Sequence, residues 1–475
     1  MPEKNDLALI GLAVMGQNLA LNIARHGYSL VVFNRTPSKT HDLLARKSPN
    51  DKIFPAYDLS ELVGSLKKPR KILLMVKAGQ PVDEFLLQLY PLLEKGDVII
   101  DGGNSHFLDT ERRAQEAEKA GFYYLGTGIS GGEEGALHGP SIMPGGHRTG
   151  YEFVQEIFLK AAAQTEDGPC CFYLGPGGAG HFVKMVHNGI EYALMELIAE
   201  AYDLMRKLLK MDPPAIAEVF KQWNQHENLN SFLLEISIKV LNYRDPETNF
   251  YLVDLIDDRA EQKGTGKWTS QVALDFGVPI PTINQAVVAR ILSARKANRV
   301  KLAAKIRSKN SLPFSERESQ QFLTALADGL YLASLMAFNE GIQMLFVASQ
   351  EKNWNLPLVD IARIWKGGCI LRTRLLNRIQ LALKNSALEM LIESPEFIHD
   401  LQKKLSSLCH VVKIGMENHI PLPSFQGALS SLESWSSSSL PTNLIQAQRD
   451  FFGAHTYRRI DREGIFHTQW EGEWL

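Results

Sequence analysis

The chain has 475 residues, of which 45% are hydrophobic and 22% charged, with a formal net charge of −2. That length exceeds a single compact core and predicts two or more domains, in a composition ordinary for globular proteins. A nearly balanced charge excludes a general nucleic-acid or polyanion binder, so an anionic ligand has to be met by a local basic cluster.

The first segment, MPEKNDLALIG, has no basic n-region and no long apolar h-region, so no signal peptide is expected. Residues 6–36 read as strand, glycine turn, helix, strand. The turn Gly11-Leu12-Ala13-Val14-Met15-Gly16 is a GxAxxG form of the dinucleotide fingerprint. Gly11 permits the tight turn, small Ala13 lets backbone approach a pyrophosphate, and Gly16 allows close helix–strand packing. The second strand ends in Asn34-Arg35-Thr36 and not in the acidic residue usual for NAD. An arginine there meets a 2′-phosphate with a fork of donors, which favours NADP.

Further strands are predicted at 71–79, 97–105 and 122–132. In an open parallel sheet, ligands sit beyond the carboxyl ends of the strands. Lys77, Asn104 and Ser130-Gly131-Gly132 are thus placed to line a cleft.

From about 178 the periodicity becomes helical, notably at 195–210, 282–299, 327–349 and 359–368. Within GHFVKMVHNGIEYALM, residues 180–195, Lys184, His187, Asn188 and Glu191 stand at i, i+3, i+4 and i+7. That spacing gathers them on one face of an otherwise apolar helix. Either the face is solvated, or the four groups pair with one another or meet a polar ligand, because unpartnered burial is costly. A loop at Lys263-Gly-Thr265-Gly-Lys267-Trp268 is basic and glycine-flexed but lacks P-loop spacing. The serine-rich run 430–439 reads as a boundary or flexible connection. Beyond it, Arg449, His455, Arg458, Arg459 and Arg462 are interleaved with aromatic residues. Cys170, Cys171, Cys369 and Cys409 show no zinc spacing and are expected as reduced thiols, and no metal site is predicted. No run of 18 apolar residues occurs, so no membrane span is expected.

GLAVMGQNLA, NRT, MVKAG, IIDGGNS, GISGGEEGA, KMVHNGIEY, QKGTGKWT, WKGGCI and NLIQAQRDFFGAHTY follow in that order from residue 6 to about 470. Together they resemble the 6-phosphogluconate dehydrogenase family, decarboxylating members of the β-hydroxyacid dehydrogenases. The resemblance implies an α/β plus all-α architecture. It comprises a Rossmann-like NADP-binding domain (1–177), an all-helical substrate and dimerisation domain (178–436) and a C-terminal tail (437–475) that enters the neighbouring subunit. The implied activity is metal-free, NADP-dependent oxidative decarboxylation of 6-phospho-D-gluconate to D-ribulose 5-phosphate, in a cytoplasmic homodimer of the oxidative pentose phosphate pathway.

It further implies Lys184 as general base and later acid, and Glu191 as the acid that protonates C1. The implied substrate contacts are Asn104, Ser130, Gly131, Gly132, His187, Asn188, Tyr192, Lys263, Arg290, Arg449 and His455. The implied cofactor contacts are Gly11, Leu12, Ala13, Val14, Met15, Gly16, Asn34, Arg35, Thr36, Val76, Lys77, Ala78 and Asn104. Desolvation and nearby cations are expected to lower the Lys184 pKa. The serine-rich stretch departs from the family pattern and leaves local helix length open. Competing readings are a non-decarboxylating β-hydroxyacid dehydrogenase and a non-catalytic NADPH-binding protein.

Overall fold

In a computed structural model, the structure describes residues 4–261, 264–306, 314–384 and 388–470. A seven-stranded sheet, whose β1, β2, β4 and β5 are short runs rich in Leu, Ile and Val, comprises β1 (Leu7–Ile10), β2 (Leu30–Phe33), β3 (Ile53–Pro55), β4 (Lys71–Leu74), β5 (Val98–Asp101), β6 (Tyr123–Ile129) and β7 (Ile142–Gly146). The order is β3-β2-β1-β4-β5-β6-β7. β1 to β6 are parallel and β7 runs antiparallel to β6. The order reverses between β1 and β4, the switch point where open α/β sheets bind ligands. β3 and β7 were not anticipated, since IFP and IMPGG are too short or too glycine-rich to carry an alternating pattern.

The helical region begins at the 29-residue site helix Ala179–Lys207. It lies directly on the β6–β7 edge because the contact is made by glycines. A β-carbon on Gly128 would stand 2.4 Å from the Lys184 β-carbon, and one on Gly180 would stand 2.3 Å from the Gly126 carbonyl oxygen. Backbone-to-helix approach of this kind leaves no room for any other residue.

The helical region is built twice. The site helix has a counterpart in the 36-residue helix Glu316–Glu351, with Gly189 matching Gly329 and Glu200 matching Glu340. Gly189 faces Thr269 and Gly329 faces Val411, each in the helix that precedes an x-Pro-x-Pro turn. Those turns open the helices Pro281–Ser293 and Pro423–Trp435. Neither helix has a capping side chain at its own N-cap residue, Ile280 or Leu422. Each receives its cap from the other half. Glu340 accepts from Thr282 N (2.9 Å), Thr282 Oγ1 (2.6 Å) and Ile283 N (3.0 Å). Glu200 accepts from Ser424 N (2.7 Å) and Phe425 N (3.0 Å). The two halves also meet where Ser231 pairs antiparallel with Thr373, each two residues before a Leu-Leu step, so a local two-fold passes between them.

Two expectations are corrected here. The helix expected across 282–299 breaks after Ser293 and resumes at Lys296. Arg299 folds back onto the carbonyls of Leu292 (3.1 Å), which also accepts from Arg295 N, and Ser293 (3.2 Å) at that break. The serine-rich run is helical as far as Trp435. Ser434 and Ser436 satisfy their hydroxyls on the carbonyls four residues back, while Leu432 is buried. Helix Glu316–Glu351 is long and apolar enough to cross a membrane, yet 83% of its most apolar stretch is buried inside the protein.

Glu340 is fully enclosed, and burial pushes its carboxyl up to about 7 against the pull of its three donors. Replacing Glu340 by Ala strands buried N–H groups and is expected to destabilise by roughly 1–3 kcal/mol per donor, measured by chemical denaturation. A carboxyl with a raised folded pKa contributes stability that is complete below its unfolded value and lost as pH rises through the folded one. The Tm of the wild type should therefore fall relative to Glu340→Gln between about pH 4.5 and pH 7.

Candidate functional site

The nucleotide turn sits at the end of β1. Gly11 has φ +100°, and a β-carbon on it would lie 2.5 Å from the Met75 carbonyl oxygen. A β-carbon on Gly16 would stand 1.9 Å from Gly11 O. Ala13 is the N-cap of helix Val14–Arg25 and makes no side-chain cap bond, so the first N–H groups of the helix point outward unclaimed by a cap. Asn34 supports the turn by accepting from Leu12 N (2.9 Å) and donating to Thr36 O (3.1 Å). Beside it Arg35 is exposed and forms no ion pair with any described residue. Val76, Lys77 and Ala78 follow β4 on the same sheet edge, with Val76 against Gly11. A bare helix N-terminus, a glycine cradle and a free guanidinium suit a dinucleotide carrying a 2′-phosphate.

On the site helix, Lys184, His187 and Asn188 are 6%, 0% and 7% exposed. The solvated-face reading of the polar stripe therefore fails. The His187 Nδ1 faces Asn188 Oδ1 at 3.1 Å, Lys184 Nζ at 3.5 Å and Glu191 Oε2 at 3.7 Å, while Nε2 lies 3.3 Å from Ser130 Oγ. Donation from Nδ1 to the Asn188 carbonyl leaves Nε2 to accept from Ser130. Although i to i+7 spans about 10 Å of rise, the Lys184 and Glu191 side chains converge on one imidazole.

Burial lowers the Lys184 pKa, opposed by the charge of Glu191. Among the described residues no cation assists, contrary to the sequence expectation. Burial also drives His187 well down, with Lys184 adding to the effect. Glu191 is raised by burial against the pull of Lys184 and Arg290. The three shifts give a neutral imidazole between an amine that loses its proton more readily and a carboxyl that keeps its own longer.

One cavity of about 560 Å³ joins the two parts. Val14 and Met15 of the nucleotide turn line one end, and Lys184, Asn188, Glu191 and Tyr192 line the other. Asn104, Ser130, Gly131, Gly132 and Arg290 also line it. The Arg290 guanidinium stacks 3.9 Å from the Tyr192 ring centroid. Gly266 lets that ring lie on the start of helix Thr265–Asp275, since a β-carbon there would be 2.5 Å from Cε2.

Lys263 lies outside the described residues. Arg449 and His455 do not reach this cavity within the chain; Arg449 bonds Gln446 Oε1 at 3.1 Å and His455 stacks edge-on with Phe452. The helix of Arg449, Thr442–Gly453, buries only Asp450, and His455 lies just beyond its end. That carboxylate accepts from Thr456 N, Thr468 N, His467 Nδ1 and Trp470 Nε1, and folds the tail around itself. Thr265, from the basic loop that the sequence singled out, is in the cavity wall, and residues not foreseen as site members include Ile370 beside it and Trp365, whose ring meets His187 edge-on at 5.7 Å. The WKGGC motif was the available signal for the last two. Its Gly368 carbonyl accepts from Ser141 N (2.7 Å) and abuts Gly131, clamping the Ser-Gly-Gly turn.

A dinucleotide turn opening onto a cavity with a desolvated lysine defines a nicotinamide-nucleotide-dependent dehydrogenase. The family model for the NAD binding domain of 6-phosphogluconate dehydrogenase matches residues 6–175, and that for the C-terminal domain of 6-phosphogluconate dehydrogenase matches 180–470. The chain belongs to the 6-phosphogluconate dehydrogenase family. It is 50% identical over 467 residues to 6-phosphogluconate dehydrogenase, decarboxylating, of Synechococcus elongatus, covering 98% of this chain and 99% of that one. It is 45% identical over 469 residues to the NADP(+)-dependent, decarboxylating enzyme of Bacillus subtilis, with coverage of 98% and 99%. A solved Plasmodium falciparum 6-phosphogluconate dehydrogenase, described in apo form and with NADP+ and 6-phosphogluconate, superposes with TM-score 0.94 at 45% identity. That match covers 98% of this chain and 100% of that one.

Gly128→Ala sets two β-carbons against each other with no rotamer to relieve them. Expected outcomes are a destabilisation of about 1–3 kcal/mol and reduced turnover with unchanged NADP affinity, checked by denaturation, steady-state kinetics and fluorescence titration.

Proposed function

We propose that the chain catalyses NADP-dependent oxidative decarboxylation of 6-phospho-D-gluconate to D-ribulose 5-phosphate and CO₂. The observation that carries this reading is the buried Lys184–His187–Glu191 cluster opening into the same cavity as the nucleotide turn. NADP, when bound, takes up the hydride leaving C3. The Gly11–Gly16 turn would hold its pyrophosphate, Asn34, Arg35 and Thr36 its 2′-phosphoribose, and Val76, Lys77, Ala78 and Asn104 would border it.

Neutral Lys184 takes the proton of the C3 hydroxyl as the C3–H bond breaks. The product is a β-keto acid. The Lys184 ammonium then hydrogen-bonds the C3 carbonyl while the C1–C2 bond cleaves, its electron pair forming the enediol and the carboxylate leaving as CO₂. Protonated Glu191, whose pKa burial raises, delivers a proton to the new terminal carbon. His187, Asn188 and the Ser130-Gly131-Gly132 turn hold hydroxyl and carboxyl oxygens. Tyr192, Lys263 and Arg290 would receive the phosphate, supported by the helix N-terminus at Thr265.

The tail supports a shared site. Leu444, Ile445, Phe452 and Ile465 are more than half exposed, and so are Ile256, Leu274 and Leu292 on the helical body. Apolar surface in this amount on both segments fits a homodimer in which the 437–475 segment crosses to the neighbour. Arg449 and His455 of the partner subunit would then complete the phosphate pocket. Four unpaired cysteines fit the reducing cytoplasm in which we place the enzyme.

Joint measurement of NADPH formation and CO₂ release with 6-phosphogluconate tests the reaction. An unphosphorylated hydroxy acid serves as control. NADPH without CO₂ would point to the non-decarboxylating alternative, and neither product to a binding protein. Lys184→Ala and Glu191→Ala should each lower kcat by roughly 10²-fold or more with NADP binding retained. Because burial lowers the Lys184 pKa, its neutral form grows in as pH rises, with a midpoint below the ordinary lysine value. Because turnover needs neutral Lys184 and protonated Glu191 together, kcat/KM should be bell-shaped in pH, its two apparent pKa values belonging to the coupled pair. Mixing Arg449→Ala with Lys184→Ala subunits should restore activity, because each mixed dimer regains one intact site. Failure to restore it would contradict a shared site.

A further inference from the structure

The duplication that produces two capped helices also produces two pockets. The polar stripe Lys184, His187, Asn188, Glu191 falls, in the counterpart helix, on Thr324, Ala327, Asp328 and Tyr331. All four of those residues line a second cavity of about 520 Å³, close in size to the catalytic one. The walls correspond too. The turn after I-A-R-I-W-K (361–366) bounds the catalytic cavity through Ile370, and the end of the helix that carries I-A-E-V-F-K (216–221), with the turn after it, bounds the second through Trp223 and His226. Each pocket is therefore floored by one half of the helical region and walled by a turn of the other.

The chemistry of the second pocket has changed. Thr324, Ala327 and Tyr331 replace the lysine, the histidine and the carboxylate, so the base, the imidazole bridge and the acid are all gone. Charge in the pocket is internally balanced. Lys404 is ion-paired with Asp328. Tyr331 Oη donates to Asp400 (2.6 Å), which also receives Arg378 Nη1 at 2.7 Å. Among the described residues no uncompensated cation faces the space, so a phosphate or carboxylate would have to displace a carboxylate already in place. What remains for a ligand is neutral hydrogen-bonding capacity. The side chains of Gln222, His226 and Gln320 bond to no described residue, and the Thr324 hydroxyl stands beside them. Trp223 supplies an aromatic wall against which aliphatic C–H groups pack.

We propose that this counterpart pocket is a non-catalytic binding site for a neutral polyhydroxylated molecule of five or six carbons, a sugar or polyol. Its size suits such a ligand, and its balanced charge discriminates against the anionic substrate of the catalytic cavity. The inference does not depend on the roles assigned to Lys184 or Glu191.

The test uses the full-length protein and two probes, xylitol and glucitol, followed by saturation-transfer NMR and calorimetry. Binding of at least one polyol is expected, and it should persist when 6-phosphogluconate and NADP saturate the catalytic cavity. Thr324→Trp, at an exposed position on the pocket floor, should weaken polyol binding at least tenfold while NADPH formation continues. Gln320→Ala, also exposed, provides a second variant with a smaller loss should the tryptophan disturb folding. Absence of binding by both polyols, competition with 6-phosphogluconate, or binding insensitive to both substitutions would each overturn the proposal.

Discussion

The active cluster depends on one steric constraint, the seating of the Lys184 β-carbon on Gly128. Because β6 presents glycine at 126 and 128, the site helix approaches the sheet edge to backbone distance and carries its lysine out of water. The lowered pKa of Lys184, the neutral imidazole of His187 and the raised pKa of Glu191 all follow from that exclusion of solvent. The electrostatics of the site are thus set by packing. Glu191 opposes the shift at Lys184, and Lys184 opposes the shift at Glu191, so each group limits how far its partner is perturbed.

The helical region shows how a duplicated scaffold diverges where chemistry is needed and stays fixed where it is not. The carboxylates at 200 and 340 remain identical because each satisfies buried helix-terminal N–H groups that have no other partner. The stripe that faces the cavity has changed at every position. Lysine, histidine, asparagine and glutamate stand in one copy, threonine, alanine, aspartate and tyrosine in the other. Only the first copy meets the carboxyl edge of a nucleotide-binding sheet, so only there does an acid–base pair have a hydride acceptor to work beside.

Much of this was legible in the sequence because the relevant signals are local. The glycine turn, the Asn-Arg-Thr strand end and the i, i+3, i+4, i+7 stripe each lie within one short segment, and the family motifs order them along the chain. Contacts between distant segments were not legible. Nothing near residue 128 announces that its glycine is the seat of Lys184, and nothing near Pro281 names Glu340 as its cap. β7 was missed for a related reason: IMPGG is held by pairing to β6 and by its closeness to the site helix, not by any propensity of its own. The first part of the serine-rich run misled in the opposite direction, since its composition resembles a linker while it continues a helix to Trp435 in which Ser434 bonds back to Ser430.

The exchanged caps bear on how the chain is made. During synthesis the helix Pro281–Ser293 emerges well before Glu340, and its buried N–H groups stay without a partner until the second long helix has followed. Glu200 waits longer still, for Ser424 and Phe425. The first half cannot settle into its final arrangement as a finished unit ahead of the second, and the region from 179 to 435 is constrained to reach its native state as one cooperative body, late in translation.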